Sequence, residues 1–278
     1  MTKKYAVIGN PIEHSKSPLI HQIFASQFGI EIVYERVLAP LGGFTHTLQD
    51  LIAQGYQGAN VTVPFKFDAY HVAQQLKARA KQAGAANTLS FDSVHGVIAD
   101  NTDGTGLVRD IQQNLGVAIK AKRVLLIGAG GAAEGVTYPL AENMPSVFVI
   151  ANRSVDKALS IVQKLQAIEA FSTTDIKSSD FAGLDGMAFD IVINATSAGL
   201  SDSKLNIANT VFAPDSLAYD MMYGRETPFM AQARLAGARV ADGLGMLVEQ
   251  AAEAFYIWHG LRPDTQAAID ALRNGKNV

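Results

Sequence analysis

The stretch that most constrains the fold is VLLIGAGGAAEG, residues 124–135. Apolar residues suited to a buried strand run into Gly128, Gly130 and Gly131, and an alanine-rich helical pattern follows. This order predicts a parallel strand, a tight turn and a helix whose first N–H groups and positive dipole end attract a pyrophosphate. The turn matches G-x-G-x-x-G/A, the fingerprint of a dinucleotide site. Its candidate cofactor contacts are Gly128, Ala129, Gly130, Gly131, Ala132 and Ala133.

The next strand, VFVIA at residues 147–151, indicates which dinucleotide is bound. In an NAD site an acidic residue at this strand's tip holds the ribose 2′-OH. Here the strand ends in Asn152, Arg153 and Ser154, with Lys157 shortly after. A guanidinium suits a 2′-phosphate through charge-assisted hydrogen bonds. The pattern therefore favours NADP, and the alternative interpretation is a solvated basic helix start.

The chain of 278 residues is long enough for two domains. Strands alternate with helices from residue 5 onward, and a second series begins at Arg123. This alternation predicts a two-lobe α/β enzyme, a Rossmann-type NADP-binding domain plus an α/β substrate domain with a mostly parallel sheet. We place the substrate domain at residues 1–104, completed by C-terminal helices at about 243–278, and the Rossmann-type domain at 105–242. Pro139 predicts a kink or an early end in the helix after the glycine turn, and residues 169–189 are expected to be surface connections.

Composition excludes several classes of function. The chain has no cysteine, so disulfides, thiolate catalysis and zinc–thiolate sites are impossible. The six histidines show no metal-ligand spacing, and a net charge of −3 supplies no basic field for nucleic acid. The apolar run near the N-terminus is too short for a signal peptide, and no run approaches the roughly 20 apolar residues of a membrane span. We expect a soluble cytoplasmic enzyme without metal, and a homodimer stays open.

Polar side chains of the first lobe gather where predicted strands end. Asn60 and Thr62 share one strand face, because side chains repeat every two residues. Ser15 and Ser17 precede a helix, where they favour a carboxylate or, alternatively, an N-cap with Pro18 as the first helical residue. Lys66, Asn87 and Asp103 follow or flank strands. Each could be ordinary turn chemistry, but ligands of open α/β sheets bind beyond the carboxyl ends of the strands.

Several of these segments also resemble a known family. The motifs GNPIEHSKSPLIH, GANVTVPFK, AANTL, DNTDGTG, GAGGAA, NRS, NATSAG, YDMMY and ADGLGMLVEQAA follow one another from residue 9 to residue 252. In this order they resemble the shikimate dehydrogenase family over essentially the whole chain. The resemblance implies NADP-dependent reduction of 3-dehydroshikimate to shikimate, on the route to chorismate and the aromatic amino acids. The alternatives are a quinate/shikimate dehydrogenase with relaxed NAD/NADP use and a non-catalytic NADP-binding sensor.

The resemblance further implies roles for individual residues. Lys66 and Asp103 are implied to be the catalytic pair, in a cleft that opens and closes. A lysine there can act as general acid in reduction and as base in oxidation. The implied substrate contacts are Ser15 and Ser17 for the carboxylate, Asn60, Thr62, Asn87, Asp103 and Gln250 for the ring hydroxyls, and Tyr223 nearby. The implied NADP contacts are the turn residues with Asn152, Arg153, Ser154, Met221, Gly243 and Met246. Lys157 stands where the family often has a second arginine, so selectivity for the 2′-phosphate is expected to be softer.

Overall fold

The computed structural model describes residues 2–196 and 203–275. The chain divides into two compact units: unit 1 is Met1–Gly106 with Leu247–Val278, and unit 2 is Leu107–Met246. Each unit is built on a six-stranded sheet, and both sheets are mostly parallel, so the predicted α/β class is confirmed. Within the described ranges no helix has the length and hydropathy needed to cross a bilayer.

The first part of unit 1 alternates strands and helices. Its elements are β1 (Lys3–Gly9), α1 (Ser17–Gln27), β2 (Ile32–Leu38), α2 (Phe44–Ala53), β3 (Tyr56–Val61), α3 (Lys66–Val72), β4 (Gln75–Leu76), α4 (Ala78–Ala83), β5 (Thr88–Asp92), β6 (Gly96–Asp100) and α5 (Asp103–Arg109), which continues as a π-helical turn at Asp110–Asn114. The sheet order is β2-β1-β3-β5-β6-β4, and β5 runs antiparallel to both β3 and β6. Strands β3 and β6 therefore run in the same direction, and their carboxyl ends lie at the same end of the sheet.

Unit 2 begins within α5, at Leu107, and contains the glycine turn. Its elements are β7 (Arg123–Ile127), α6 (Gly131–Glu142), β8 (Val147–Ala151), α7 (Val155–Gln166), β9 (Asp175–Ser179), β10 (Phe189–Asn194), β11 (Phe212–Asp220), α8 (Pro228–Leu235) and β12 (Arg239–Ala241), with short 3₁₀ turns between them. The sheet order β12-β11-β10-β7-β8-β9 with parallel pairing is that of a doubly wound dinucleotide-binding fold.

Helices cover both faces of each sheet, which explains the uninterrupted apolar strands of the sequence. Val124 and Leu126 of β7 belong to a core that includes residues of α6 and α7, while Leu125 and Ile127 face the opposite core, which includes residues of α8. In unit 1, the side chains of β1 alternate in the same way between a core that includes residues of α2 and a core that includes residues of α1. The latter core also takes residues of the two C-terminal helices, α9 (Leu244–His259) and α10 (Gln266–Arg273).

Two local predictions need correction. Of the kink or early end predicted at Pro139, the early end is wrong, because helix α6 continues to Glu142, and the kink stays a prediction. Val136, Leu140 and Ala141 on either side of the proline are buried in the unit 2 core, and this packing outweighs the roughly 3 kcal/mol that an interior proline costs. The expected surface connection at 169–189 contains strand β9, which pairs with β8 at the sheet edge. Of its five residues, DIKSS, only Ile176 is buried, so the apolar signal of a strand is missing.

Candidate active site

Lys66 and Asp103 form the centre of the polar cluster in unit 1. Lys66 is the first residue of α3, just beyond β3, and Asp103 is the first residue of α5, just beyond β6. Because β3 and β6 have their carboxyl ends at the same end of the sheet, the two side chains meet, with 2.5 Å between Nζ and Oδ2. The lysine side chain is 24% exposed and the carboxylate 11%. The pair is therefore largely sheltered, yet open enough for the ammonium to reach a ligand.

Asn87 connects Asp103 to neighbouring elements. Its amide Nδ2 lies 2.9 Å from Asp103 Oδ1, 3.0 Å from Thr102 Oγ1 and 3.2 Å from Gln250 Oε1. The two amide hydrogens of Asn87 thus have three acceptors within reach. One of the three acceptors can therefore turn to a ligand while both hydrogens stay paired. Asn87 Oδ1 accepts the Thr102 N–H at 2.8 Å. The structure brings Asn87, Asp103 and Gln250 together as one hydrogen-bonded group.

Asn60 is held by three hydrogen bonds inside unit 1. Its Nδ2 donates to Asn87 O and to Thr88 Oγ1, both at 3.1 Å, and its Oδ1 accepts the Tyr34 hydroxyl at 2.7 Å. Burial raises the pKa of Tyr34 well above its usual value, so the phenol stays protonated and donating. With both amide hydrogens used, Asn60 can meet a ligand only as an acceptor through the remaining lone pair of Oδ1.

Thr62, Ser15 and Ser17 lie in the same unit. Thr62 is half-buried just past β3. The serine hydroxyl oxygens are 3.2 Å apart, and the Ser17 N–H donates to Ser15 Oγ at 3.3 Å. The structure begins α1 at Ser17 and makes Lys16 the N-cap, so the predicted cap at Ser17 is off by one residue. Ser17 is buried as a first-turn residue, and its hydroxyl accepts a hydrogen bond from the Ser15 hydroxyl.

Three residues of this network were not predicted from the sequence as site residues: Tyr34, Thr88 and Thr102. Thr102 is fully buried and lies inside DNTDG, so its place beside Asp103 was the available signal. Tyr34 sits with Ile32 on the buried positions of β2, and the alternation of β2 marks it only as inward-facing. Its partner Asn60 is 26 residues away, and periodicity says nothing about that contact.

The glycine turn of unit 2 has the shape that a pyrophosphate needs. Gly128 has φ +116°, and a Cβ there would lie 3.2 Å from the Ala195 carbonyl, so this position requires glycine. A Cβ on Gly130 would meet no atom within 4 Å, which leaves open space over the turn. Gly130 is the N-cap of α6 and offers no side-chain cap, so the first N–H groups of the helix, at Gly131, Ala132 and Ala133, have no intrahelical partner. These features fit an anionic dinucleotide.

Beyond β8, the predicted 2′-phosphate residues are exposed. Asn152 donates from Nδ2 to Ser154 O at 2.9 Å, which folds the strand tip toward the start of α7. Arg153 and Lys157 are exposed, and no described carboxylate forms an ion pair with either of them. Asp156 lies in the same first turn of α7. The geometry leaves both cations available to an anion.

The remaining predicted cofactor residues are packed against each other. A Cβ on Gly243 would lie 2.3 Å from Met221 O, and the Gly243 N–H donates to Met222 O at 2.9 Å. Met246 is only 8% exposed in the unit 2 core.

Tyr223 is 37% exposed in unit 2, and partial burial raises the pKa of its phenol. The motif NATSAG, residues 194–199, falls partly outside the described residues. Among the described residues, no group of three or more metal-ligating side chains is found.

Family models match along the chain. A shikimate dehydrogenase substrate binding domain matches residues 7–89, a shikimate/quinate 5-dehydrogenase model residues 109–205, and a shikimate 5′-dehydrogenase C-terminal domain residues 243–273. A shikimate dehydrogenase (NADP(+)) of Methylobacillus flagellatus is 57% identical over 273 residues, covering 97% of this chain and 98% of that protein. The chain belongs to the shikimate dehydrogenase family.

Solved structures of similar fold agree with this membership. An Ael1 enzyme from Pseudomonas putida matches with a TM-score of 0.91 at 44% identity, covering 98% of each chain. A shikimate 5-dehydrogenase from Thermus thermophilus, solved in complex with NADP(H) and shikimate, matches with a TM-score of 0.85 at 27% identity, covering 99% of this chain and 100% of that one. The family resemblance seen in the sequence is thereby confirmed.

Proposed function

We propose that this protein is an NADP-dependent shikimate dehydrogenase that reduces 3-dehydroshikimate to shikimate and catalyses the reverse oxidation. The observation that carries the proposal is the Lys66–Asp103 ion pair at the sheet edge, joined through Asn87 to Gln250. A polyol acid needs amides and carboxylates that bind its hydroxyls, a site that binds its own carboxylate, and a proton donor at the reacting oxygen. Unit 1 supplies all three types of group.

In the proposed mechanism the reacting oxygen lies beside Lys66 Nζ. Reduction of a ketone builds negative charge on that oxygen, and the ammonium offsets the charge and delivers the proton. In oxidation the neutral amine takes the hydroxyl proton. Asp103 orients Nζ through the 2.5 Å contact and accepts a second substrate hydroxyl. We assign the substrate carboxylate to the Ser15–Ser17 pair, and further ring hydroxyls to Asn60, Thr62, Asn87 and Gln250, with Tyr223 as an additional contact.

Unit 2 is proposed to hold NADP, which supplies or accepts the hydride when bound. Residues 128–133 would bind the pyrophosphate through the N-terminus of α6, and Gly130 leaves room for its close approach. Arg153, with Asn152, Ser154 and Lys157, would bind the 2′-phosphate. Met221, Gly243 and Met246 complete the proposed cofactor set. In this proposal units 1 and 2 are the substrate and cofactor domains.

Quinate is the second candidate substrate, because the model that matches residues 109–205 describes shikimate/quinate 5-dehydrogenases. The purified protein would be assayed by formation of the reduced cofactor, NADPH with shikimate and NADP⁺ and with quinate and NADP⁺, and NADH with shikimate and NAD⁺. We expect the highest kcat/KM for shikimate with NADP⁺. Equal or higher kcat/KM with quinate, or with NAD⁺, would favour the broader quinate/shikimate activity. Absence of turnover with all three pairs would contradict a dehydrogenase function.

A further inference from the structure

A charged cluster of unit 1 lies next to the proposed substrate residues without including any of them. It consists of Arg79, Asp100, Glu253 and Arg262, and is called here the Arg79 cluster. Arg79, at the start of α4, donates from Nε and Nη2 to the two carboxylate oxygens of Asp100, at 3.0 and 2.6 Å. Its Nη1 donates to Glu253 Oε1 at 2.8 Å. One guanidinium therefore joins β6 to α9.

The charges of this cluster depend on one another because the acids are buried. The side chains of Asp100 and Glu253 are 10% and 8% exposed, whereas Arg79 is 31% exposed. Burial by itself would raise the pKa of Glu253, but hydrogen bonds from Arg79 and Arg262 hold it below its usual value. Glu253 is thus kept ionised, and Arg79 is the cation that contacts both carboxylates.

The cluster reaches Asp103 through the loop after β6. Asp100 Oδ1 accepts the Asn101 N–H at 2.8 Å, and Asn101 Oδ1 accepts the Asp103 N–H at 3.1 Å. Arg79 Nη1 also lies 3.3 Å from Thr105 Oγ1, in the first turn of α5. Arg79 therefore holds the chain on both sides of Asp103, three residues before it and two residues after it.

The cluster reaches Gln250 through α9. Glu253 follows Gln250 by three positions, so the two side chains lie on neighbouring positions of one helix face. Gln250 Oε1 lies 3.2 Å from Asn87 Nδ2, the same amide that donates to Asp103. A shift of Glu253 would move Gln250 with its helical turn, away from Asn87.

We propose that Arg79 is a positioning residue for the reaction, which fixes Asp103 and Gln250 relative to each other without contacting substrate. Its charge also offsets that of Asp100, the buried carboxylate three residues before Asp103. This inference rests on the proposed dehydrogenase function of the same site.

The test compares Arg79→Gln, Arg79→Lys and the control Arg262→Gln in the full-length protein. Arg262 donates to Glu253 Oε2 at 2.7 Å, so the control removes an ion pair from the same carboxylate while leaving the Asp100 loop untouched. Steady-state rates would be measured with shikimate and NADP⁺ varied separately. Shikimate affinity would also be measured by calorimetry without cofactor, which gives a readout independent of turnover.

We expect Arg79→Gln to lower kcat/KM for shikimate about 10- to 100-fold, the scale of a small misplacement of reacting groups, and to weaken shikimate binding, while KM for NADP⁺ stays within about twofold. Arg79→Lys keeps the charge but loses the bidentate fork, so it should recover part of the loss. It is also the variant to use if Arg79→Gln does not fold.

Three results would overturn the inference: wild-type kcat/KM and shikimate affinity in Arg79→Lys and Arg79→Gln, an equal loss in Arg262→Gln, or a parallel rise in KM for NADP⁺. Failure of the proposed function looks different, because the wild-type protein itself would then neither turn over nor bind shikimate.

Discussion

Tyr34 donates its phenolic hydrogen to Asn60 Oδ1 across 2.7 Å, and this bond decides which way the buried amide points. With Oδ1 turned to Tyr34, the Nδ2 group faces Asn87 O and Thr88 Oγ1. The amide is thereby fixed as an acceptor toward any ligand. Tyr34 is buried and ring-stacked with His21, with centroids 4.2 Å apart, so its hydroxyl has little freedom to move.

Replacing Tyr34 by Phe should weaken substrate binding more than turnover. The change leaves Asn60 Oδ1 without its donor, so that only the two Nδ2 hydrogen bonds hold the amide, at a cost of about 1 kcal/mol for the lost hydrogen bond. We expect KM for shikimate to rise about three- to tenfold at nearly constant kcat. Tyr56→Phe is the control, because Tyr56 donates to Glu35 outside this network. A large loss of kcat at unchanged KM would contradict the assigned role.

Lys66→Ala should lower kcat by at least about 100-fold, a typical contribution of general acid–base catalysis, with only modest loss of shikimate affinity. The physical reason is the loss of both the proton donor and the charge beside the reacting oxygen. Lys81→Ala removes an exposed lysine of α4 and serves as the control. Near-normal turnover of Lys66→Ala in a stopped-flow or steady-state assay would remove Lys66 from the mechanism.

The elements that the sequence predicted well are those buried on both faces. Strand β7 is apolar throughout because Val124 and Leu126 face one core and Leu125 and Ile127 the other. Strands β4, β9 and β12 were missed because they are short edge strands with few buried residues. Their place in the sheet depends on pairing with a neighbour, and local hydrophobic periodicity does not encode that pairing.

The site residues also fall into those that the sequence predicted and those that it did not. Lys66 and Asp103 were predicted because their motifs resemble a family, and the structure places them in contact. Tyr34 and Arg79 act through partners far away in the chain: Glu253 is 174 residues from Arg79. A tyrosine in a strand and an arginine in a short helix carry no local signal for such contacts, so only the folded sheet reveals them.

Arg153→Ala should reduce use of NADP more than use of NAD. The guanidinium is exposed and unpaired with any described acid, so it is available to the 2′-phosphate that NAD lacks. We expect kcat/KM for NADP⁺ to fall about 10- to 100-fold and the value for NAD⁺ to change little. Lys164→Ala is a suitable control, since this cation of α7 faces Glu134 at 3.6 Å instead. Equal losses with both cofactors would argue against a 2′-phosphate contact.

Two glycines of unit 2 should respond in opposite ways to alanine. A Cβ on Gly243 would lie 2.3 Å from Met221 O, a backbone atom that has no flexible side chain to give way, so Gly243→Ala should cost about 1–3 kcal/mol of unfolding free energy. A Cβ on Gly130 meets nothing within 4 Å, and its φ of −100° suits alanine.

Gly130→Ala should therefore unfold in urea like the wild type but bind NADP more weakly, since the methyl group occupies the space of the pyrophosphate. Urea titration and NADPH fluorescence titration separate the two effects. Unchanged NADP affinity in Gly130→Ala would contradict the assigned pyrophosphate seat, and wild-type stability of Gly243→Ala would contradict the backbone contact with Met221.

One buried and one half-buried histidine should make unit 1 less stable as the pH falls below neutrality. Burial lowers the pKa of His21 to about 3, and burial together with the charge of Lys3 lowers the pKa of His259 to about 4. In the unfolded chain a histidine titrates near 6.5. Below about pH 6.5 the unfolded chain therefore binds protons that the folded chain does not, and the free energy of unfolding decreases toward acid pH.

His21→Phe should remove the His21 share of this pH dependence while keeping a ring stacked on Tyr34. Between pH 7 and 5 that share is at most about 2 kcal/mol, from roughly 1.4 kcal/mol for each pH unit below 6.5. Urea unfolding of the wild type and His21→Phe at several pH values in this range would measure it, away from most carboxylate titration. The exposed His46→Gln should follow the wild type. Parallel pH dependences for His21→Phe and the wild type would mean that His21 is not held neutral in the folded protein.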